Sequence, residues 1–108
     1  MKIYGVGRTT DDIQFIYNEK GTCIAKFVIA ENVYNYVKKE KEGKFFPVVA
    51  FGKIAEILGN LNISKGDKIQ IEGILDISKY EKDGIKKTYT QIILKSFELC
   101  TGKKKEKI

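Results

Sequence analysis

The chain has 108 residues, the length of one small domain, and its 43% hydrophobic and 31% charged residues are typical of a globular protein. It contains no histidine and only two cysteines. These counts exclude imidazole catalysis and His-containing metal sites, so we expect no metal, no cofactor and no enzyme activity. The sequence has neither an 18-residue apolar run nor an apolar N-terminal segment, which predicts a cytoplasmic protein that makes no membrane contact.

The charge balance is the first positive indication of a partner. Twenty basic and 14 acidic residues give a net charge of +6, and such an excess favours a polyanion. Part of it lies in Lys103–Ile108, which has four lysines and one glutamate. We therefore predict a domain over residues 1–100, followed by a short, basic and disordered tail over residues 101–108.

Alternating apolar and polar residues predict three strands in the first half of the chain, namely Lys2–Arg8, Ile13–Tyr17 and Thr22–Ala30. The segment Glu31–Lys44 is polar, charged and aromatic, and it predicts an exposed loop or a mobile hairpin. Phe45–Phe51 is the next strand, closed by a glycine. We expect core positions for Phe27, Phe46 and Phe97 from their place in the alternation.

The middle of the chain changes period. Ile54, Leu58 and Leu61 are spaced as on one face of a helix, which predicts a short helix over Lys53–Leu61, weakened by Gly59. Pro47, in the strand before it, has no N–H, so that position should face an edge or an irregularity.

The last third of the chain again alternates. It predicts a strand over Lys68–Asp76, in which Gly73 marks a bulge or a close approach. A hairpin over Ser78–Tyr89 follows, with Asp83-Gly84 as its turn, and Thr88–Leu99 is the last strand. One helix between the third and fourth strands of a five-stranded chain is the order of the OB-fold, although other small barrels and α+β sandwiches share it.

Several aromatic residues lie beside lysines rather than at core positions. Single-stranded nucleic acid needs cations for its phosphates and flat rings for its unstacked bases. Tyr34 and Tyr36 precede two lysines, Phe51 precedes Lys53, and Tyr80 lies between Lys79 and Lys82. This interleaving favours a nucleic-acid interface, although any one of these rings has an ordinary structural explanation.

The sequence resembles the bacterial and bacteriophage single-stranded DNA-binding proteins over roughly residues 2–99. The matching segments, in order, are Gly5–Arg8, Gly21–Ala30, Val48–Glu56, Lys65–Asp67 and Ile71–Leu75, of which Val48–Glu56 with its Phe-Gly-Lys is the most specific. The resemblance implies an all-β OB-fold, a five-stranded Greek-key barrel with one short helix between strands 3 and 4 and a long β-hairpin. It also implies a homotetramer that wraps single-stranded DNA without sequence preference.

The family's DNA-contacting positions transfer to this sequence residue by residue. The resemblance places stacking rings at Phe45, Phe51 and Tyr80, and a loop ring at either Tyr34 or Tyr36. It places Lys53 beside the stacking Phe51, and further DNA contacts at Arg8, Lys26 and Lys79.

Two departures from the family pattern affect these expectations. Family members usually end in an acidic tip that recruits other proteins, whereas this sequence ends in lysines, so we do not expect recruitment through an acidic tail. Tyrosine and phenylalanine stand where the family has tryptophan, which reduces the stacking surface.

The predicted function is sequence-independent coating and protection of single-stranded DNA during replication, recombination or repair. Two alternatives use the same fold. One is an accessory protein that binds a replication or conjugation partner and for which nucleic-acid contact is secondary. The other is binding of single-stranded RNA, which relies on the same stacking.

Overall fold

The computed structural model of the protein describes residues 1–100. The predicted tail, residues 101–108, lies outside the described residues. Six strands and one helix follow the predicted order along the chain: β1 (Lys2–Thr9), β2 (Gln14–Tyr17), β3 (Cys23–Asn35), β4 (Glu40–Phe51), α1 (Lys53–Asn60), β5 (Lys68–Lys82) and β6 (Ile85–Leu99). No helix within residues 1–100 is long and apolar enough to cross a membrane.

Five of the strands close into a barrel. The sheet has the order β1-β5-β6-β4-β3-β2, and a further pairing of β1 with β3 joins its two sides. That closing contact is short and consists of Arg8 opposite Ala30 and Thr9 opposite Ile29. β2 lies outside the ring, paired to the start of β3. The structure confirms the predicted five-stranded barrel with its helix between the third and fourth barrel strands.

The barrel interior is filled by alternate residues of each strand, as a two-residue period requires. The buried core draws on four strands and the helix, and its members include Phe27, Val48, Leu58, Ile69, Ile71 and Leu94. The predicted core position of Phe27 is confirmed, and Phe97 packs against the core while half-buried.

The prediction for Phe46 was wrong, because 36% of this side chain is exposed. It lies on the inward face of β4, but near the open end of the barrel, where it borders a cavity of about 210 Å³ rather than packed side chains. A face can be assigned from alternation, whereas depth within the barrel cannot.

The helix α1 begins and ends close to the predicted residues. It begins at Lys53 after Gly52, whose φ of 70° is a conformation that glycine adopts without strain. Ala55 and Leu58 are its buried residues. It ends at Asn60, one residue before the predicted end, and Leu61 is already extended.

Two hairpin arms project beyond the barrel. The segment Glu31–Lys44, predicted as a loop or hairpin, continues β3 and β4 as paired strands up to Asn35 opposite Glu40. The second arm joins β5 to β6, and its Asp83-Gly84 turn has positive φ at both residues, as a type I′ turn requires. Because of the arms the radius of gyration is 15.5 Å, above the roughly 13 Å expected for a compact chain of this length.

Pro47 separates β4 from β6. The carbonyl of Val28, opposite Pro47, accepts a bond from the Thr10 N–H, so it points away from β4. The Val28–Pro47 pair is therefore not hydrogen-bonded, and the Pro47 nitrogen faces β6. The pairing of β4 with β6 is limited to Val48–Ile92 and Val49–Ile93. This confirms the expected irregularity, and beyond it the two arms diverge.

A bulge changes the alternation of β6. Phe97 lies opposite Ile71 and Leu94 lies opposite Gly73, so β6 has one residue more than β5 between these pairs. A Cβ on Gly73 would lie 2.3 Å from the carbonyl oxygen of Ile93, so the bulge needs glycine there. Both readings of Gly73, bulge and close approach, are confirmed.

Candidate nucleic-acid interface

The outward face of β3 and β4 carries the predicted stacking rings. Phe45 lies opposite Ala30, and Phe51 lies opposite Ile24. Both belong to the alternation that faces away from the core, and 64% and 49% of their side chains are exposed. Lys26 lies between them on the same face, opposite Val49, and is exposed. The strand pairing thus places two flat rings and a cation in one row.

Phe45 rests on a neighbouring glycine. A Cβ on Gly43 would lie 3.4 Å from the edge of the Phe45 ring, so the ring covers the backbone at this position. Gly43 is two residues away on the same strand and therefore belongs to the same face. The glycine lets the ring lie along the arm as a flat surface.

Tyr34 and Tyr36 lie at the far end of the same arm. Tyr34 is opposite Lys41 and shares the outward face with Phe45. The ring of Tyr36 meets that of Tyr34 edge to face, with centroids 4.7 Å apart and an interplanar angle of 71°. Both rings keep exposed surface, 43% of Tyr34 and 82% of Tyr36, on which a base can stack.

Arg8 and Lys53 lie at the two ends of the row formed by Phe45, Lys26 and Phe51, Arg8 near Phe45 and Lys53 near Phe51. The Arg8 side chain belongs to the row of Ala30 and Phe45, and its Nη1 donates to the carbonyl of Gly66 at 2.9 Å. Lys53 is the first residue of α1, two residues after Phe51, and is exposed. The free N–H groups at this helix end add positive potential to the lysine.

The β5–β6 arm places its side chains on two faces. Tyr80 lies opposite Lys87, and Tyr89 lies opposite Ser78, so both rings share one face. This face continues the outward side of β4, because Ile93 on the same alternation lies beside Val49. Lys79 lies opposite Thr88 on the other side of the arm. The structure thus groups Tyr80 with the rings on β4 and separates it from Lys79.

Tyr89 is a candidate contact that the sequence did not indicate. Counted back from Phe97, which faces inward, Tyr89 has the alternation of a core residue. The bulge reverses that alternation, and 46% of Tyr89 is exposed on the outward face. The available sequence signal was the pair of lysines at 86 and 87 just before it.

Some arm lysines are already paired within the protein. The Glu42 carboxylate accepts a bond from Asn35 Nδ2 at 2.8 Å and lies 3.3 Å from Lys44 Nζ and 3.6 Å from Lys38 Nζ. The bonds from Asn35 and Lys44 hold the pKa of Glu42 below its ordinary value. Glu42 therefore stays ionised near neutral pH and competes with any phosphate for these two lysines.

Comparison with known proteins agrees with this geometry. The model of the "Single-strand binding protein family" matches residues 1–100. A single-stranded DNA-binding protein of Aquifex aeolicus is 34% identical, covering 95% of this chain and 71% of the relative. Single-stranded DNA-binding protein 1 of Streptococcus pyogenes is 31% identical, covering 94% of this chain and 78% of the relative.

A solved structure has the same fold. The Plasmodium falciparum SSB in complex with ssDNA superimposes with a TM-score of 0.82, covering 93% of this chain and 94% of the other, at 20% identity. This likeness confirms the OB-fold of the barrel. The match over residues 1–100 and the bacterial relatives above 30% identity show that the chain belongs to the single-strand binding protein family.

Proposed function

We propose that the protein coats and protects single-stranded DNA without sequence preference during replication, recombination or repair. The observation that carries this proposal is the outward row of Phe45, Lys26 and Phe51, continued by Tyr80 on the second arm. Exposed rings of this size on one face are not explained by the core, which is filled without them. Family membership of residues 1–100 supports the same function.

The proposed mechanism is non-covalent binding, and no covalent bond is formed or broken. Unpaired bases stack on the rings, and every base has a face that can stack, so the binding tolerates any sequence. A base held on Phe51 or Tyr80 cannot re-pair, which protects the strand from reannealing. We further propose that the protein is not an enzyme, since binding alone accounts for this function.

Assembly and location complete the proposal. We propose that residues 1–100 form the DNA-binding domain, that copies associate as a homotetramer, and that the protein acts in the cytoplasm on nucleoid DNA. The family supports the DNA-binding domain and the self-association, because its members are DNA-binding proteins that typically associate with copies of themselves. Sedimentation of the full chain tests the tetramer directly.

The deciding experiment titrates the protein with oligo-dT and with a duplex of the same length, followed by tyrosine fluorescence. The chain has six tyrosines and no tryptophan, so the signal reports on rings such as Tyr34, Tyr80 and Tyr89. We expect strong quenching by oligo-dT alone. Equal binding of both nucleic acids, or of neither, would favour an accessory protein of replication or conjugation instead. Oligo-U in the same assay tests the RNA alternative.

Salt dependence tests the role of Lys26. Each phosphate neutralised on a single strand contributes a slope of about −0.7 to the plot of log affinity against log salt. We expect Lys26→Ala to reduce the magnitude of the slope by about 0.7, the share of one phosphate. Lys2→Ala is the control, because Lys2 pairs with Glu72 on the β1–β5 side of the barrel, and it should leave the slope unchanged. Equal slopes for wild type and Lys26→Ala would show that Lys26 does not contact a phosphate of the bound strand.

Glu42→Gln should strengthen binding to oligo-dT, because it releases Lys44, on the face of the arm opposite Phe45, and the turn residue Lys38 for phosphates of a strand that passes around the arm. The expected gain at low salt is about twofold to fivefold, the size of one or two exposed ion pairs. Glu40→Gln on the same arm changes the net charge equally without releasing a paired lysine. The prediction is wrong if the two variants gain affinity equally when measured by fluorescence titration.

A further inference from the structure

A groove opens where the two arms diverge, on the outward face of the barrel. It encloses about 460 Å³, within the range of roughly 300–1,000 Å³ usual for small-molecule sites. Its floor is apolar and consists of Pro47 and Val49, the latter only 3% exposed. The Tyr89 ring forms part of one wall. This shape and lining suit a flat heterocycle.

A fixed amide lies in the same wall. Gln91 is half-buried, and its Nε2 donates to Asp76 Oδ2 at 3.3 Å, which leaves Oε1 as an acceptor. Asp76 Oδ2 also accepts from Ser78 Oγ at 3.2 Å and so holds the amide in place. An acceptor fixed beside an apolar floor can accept a bond from the edge of a base without first becoming ordered.

The opposite wall is acidic. Asp11 and Asp12 line it, and Asp11 Oδ1 accepts the Asp12 N–H at 2.8 Å. Two carboxylates repel a phosphate and also repel the carbonyl edge of thymine. They accept bonds from exocyclic amino groups, as carboxylates do from the cytosine N4 amino group. Lys26, which also lines the groove, provides a cation for a neighbouring phosphate.

From this arrangement we propose that the groove is a base subsite that selects an edge with an exocyclic amino group, as in cytosine, over thymine. The inference rests on the proposed binding of single-stranded DNA and adds a local preference to it. Gln91 Oε1 and the Asp12 carboxylate accept from the amino group, and Pro47, Val49 and Tyr89 hold the ring.

The test compares three oligonucleotides of about 12 nucleotides, within the length that one OB-fold binds: oligo-dC, oligo-dT, and oligo-dC methylated twice on every N4. Oligo-dA is avoided because adenines stack on one another. We expect the wild type to bind methylated oligo-dC about fivefold more weakly than oligo-dC, the lower end of the discrimination from one base-edge contact. This comparison changes only the ligand, so it does not depend on how a variant folds.

Gln91→Met tests whether the Gln91 amide causes the difference in affinity between oligo-dC and its methylated form. It should lose most of the difference between oligo-dC and its methylated form while it still binds oligo-dT. Gln70→Met is the matched control, a half-buried glutamine on β5 that lies opposite Val6 and away from the groove. It should keep the wild-type difference.

The outcomes separate the two proposals. Failure of every oligonucleotide to bind would overturn the proposed function itself. Binding of all three with equal affinity by the wild type would overturn the base subsite and leave the coating function intact. Equal losses for all three oligonucleotides in Gln91→Met would also overturn the subsite, because they would show a merely structural role for the amide.

Discussion

Phe51→Ala is expected to weaken the binding of oligo-dT by about 1–3 kcal/mol, the measured value of one base stacked on an aromatic ring. This corresponds to a loss of affinity of about 5-fold to 150-fold. The ring is 49% exposed at the start of the row that continues through Lys26 to Phe45. Fluorescence titration at fixed salt measures the change.

The same substitution should leave the fold intact. Half of the Phe51 side chain is in solvent, and it is absent from the buried cluster inside the barrel. Substitutions at such surface positions usually change the free energy of unfolding by less than about 0.5 kcal/mol. Urea denaturation followed by circular dichroism checks this part of the prediction.

Tyr17→Ala is the matched control for Phe51→Ala. Tyr17 is an exposed ring on β2, but it lies opposite Cys23 on the alternation that faces away from Phe51. It should keep wild-type affinity for oligo-dT. If Tyr17→Ala weakens binding as much as Phe51→Ala, or if Phe51→Ala unfolds the protein, the outward row is not the binding surface.

Gly73→Ala should be the most destabilising single-methyl change in the barrel wall. Its Cβ would lie 2.3 Å from the Ile93 carbonyl oxygen and 3.0 Å from the Ile92 side chain, so the backbone of β6 must shift. Overpacking of this kind costs about 3 kcal/mol. We expect a lower midpoint in urea denaturation, and weaker binding wherever the shift displaces Tyr89.

Gly5→Ala controls for the loss of a strand glycine. Gly5 lies on β1, borders the cavity near Phe46 and has nothing within 4 Å of its added Cβ. It should keep the wild-type midpoint or raise it slightly, because alanine restricts the unfolded chain. Equal destabilisation by the two substitutions would show that the bulge at Gly73 is not what requires glycine.

The local sequence was sufficient to predict most strands of the barrel and the helix. The alternation of Thr22–Ala30 and Phe45–Phe51 predicted strands and their faces, because one side of each strand must be buried. The change of period after Gly52 predicted the helix to within one residue. The outward positions of Phe45 and Phe51 followed from the same alternation, and the structure places both there.

Resemblance to the family supplied what alternation could not. It pointed to Tyr80 and Arg8 and to the use of the outward face. It did not resolve Tyr34 from Tyr36; the structure places Tyr34 on the outward face, with the Tyr36 ring in a T-shaped contact with it. It grouped Lys79 with Tyr80, although neighbouring residues of a strand point to opposite faces, and Lys79 remains a predicted contact on the other side of the arm.

By itself, the sequence determined the elements, their order and the faces of the regular strands, because each depends only on neighbouring residues. Only the tertiary structure decided which residues the bulge at Gly73 turns outward, since one extra residue on β6 exchanges its two faces. That exchange turns Tyr89 and Gln91 to the outward face. The groove they line exists because β4 and β6 separate at Pro47, and residues so far apart in sequence meet only when the barrel closes.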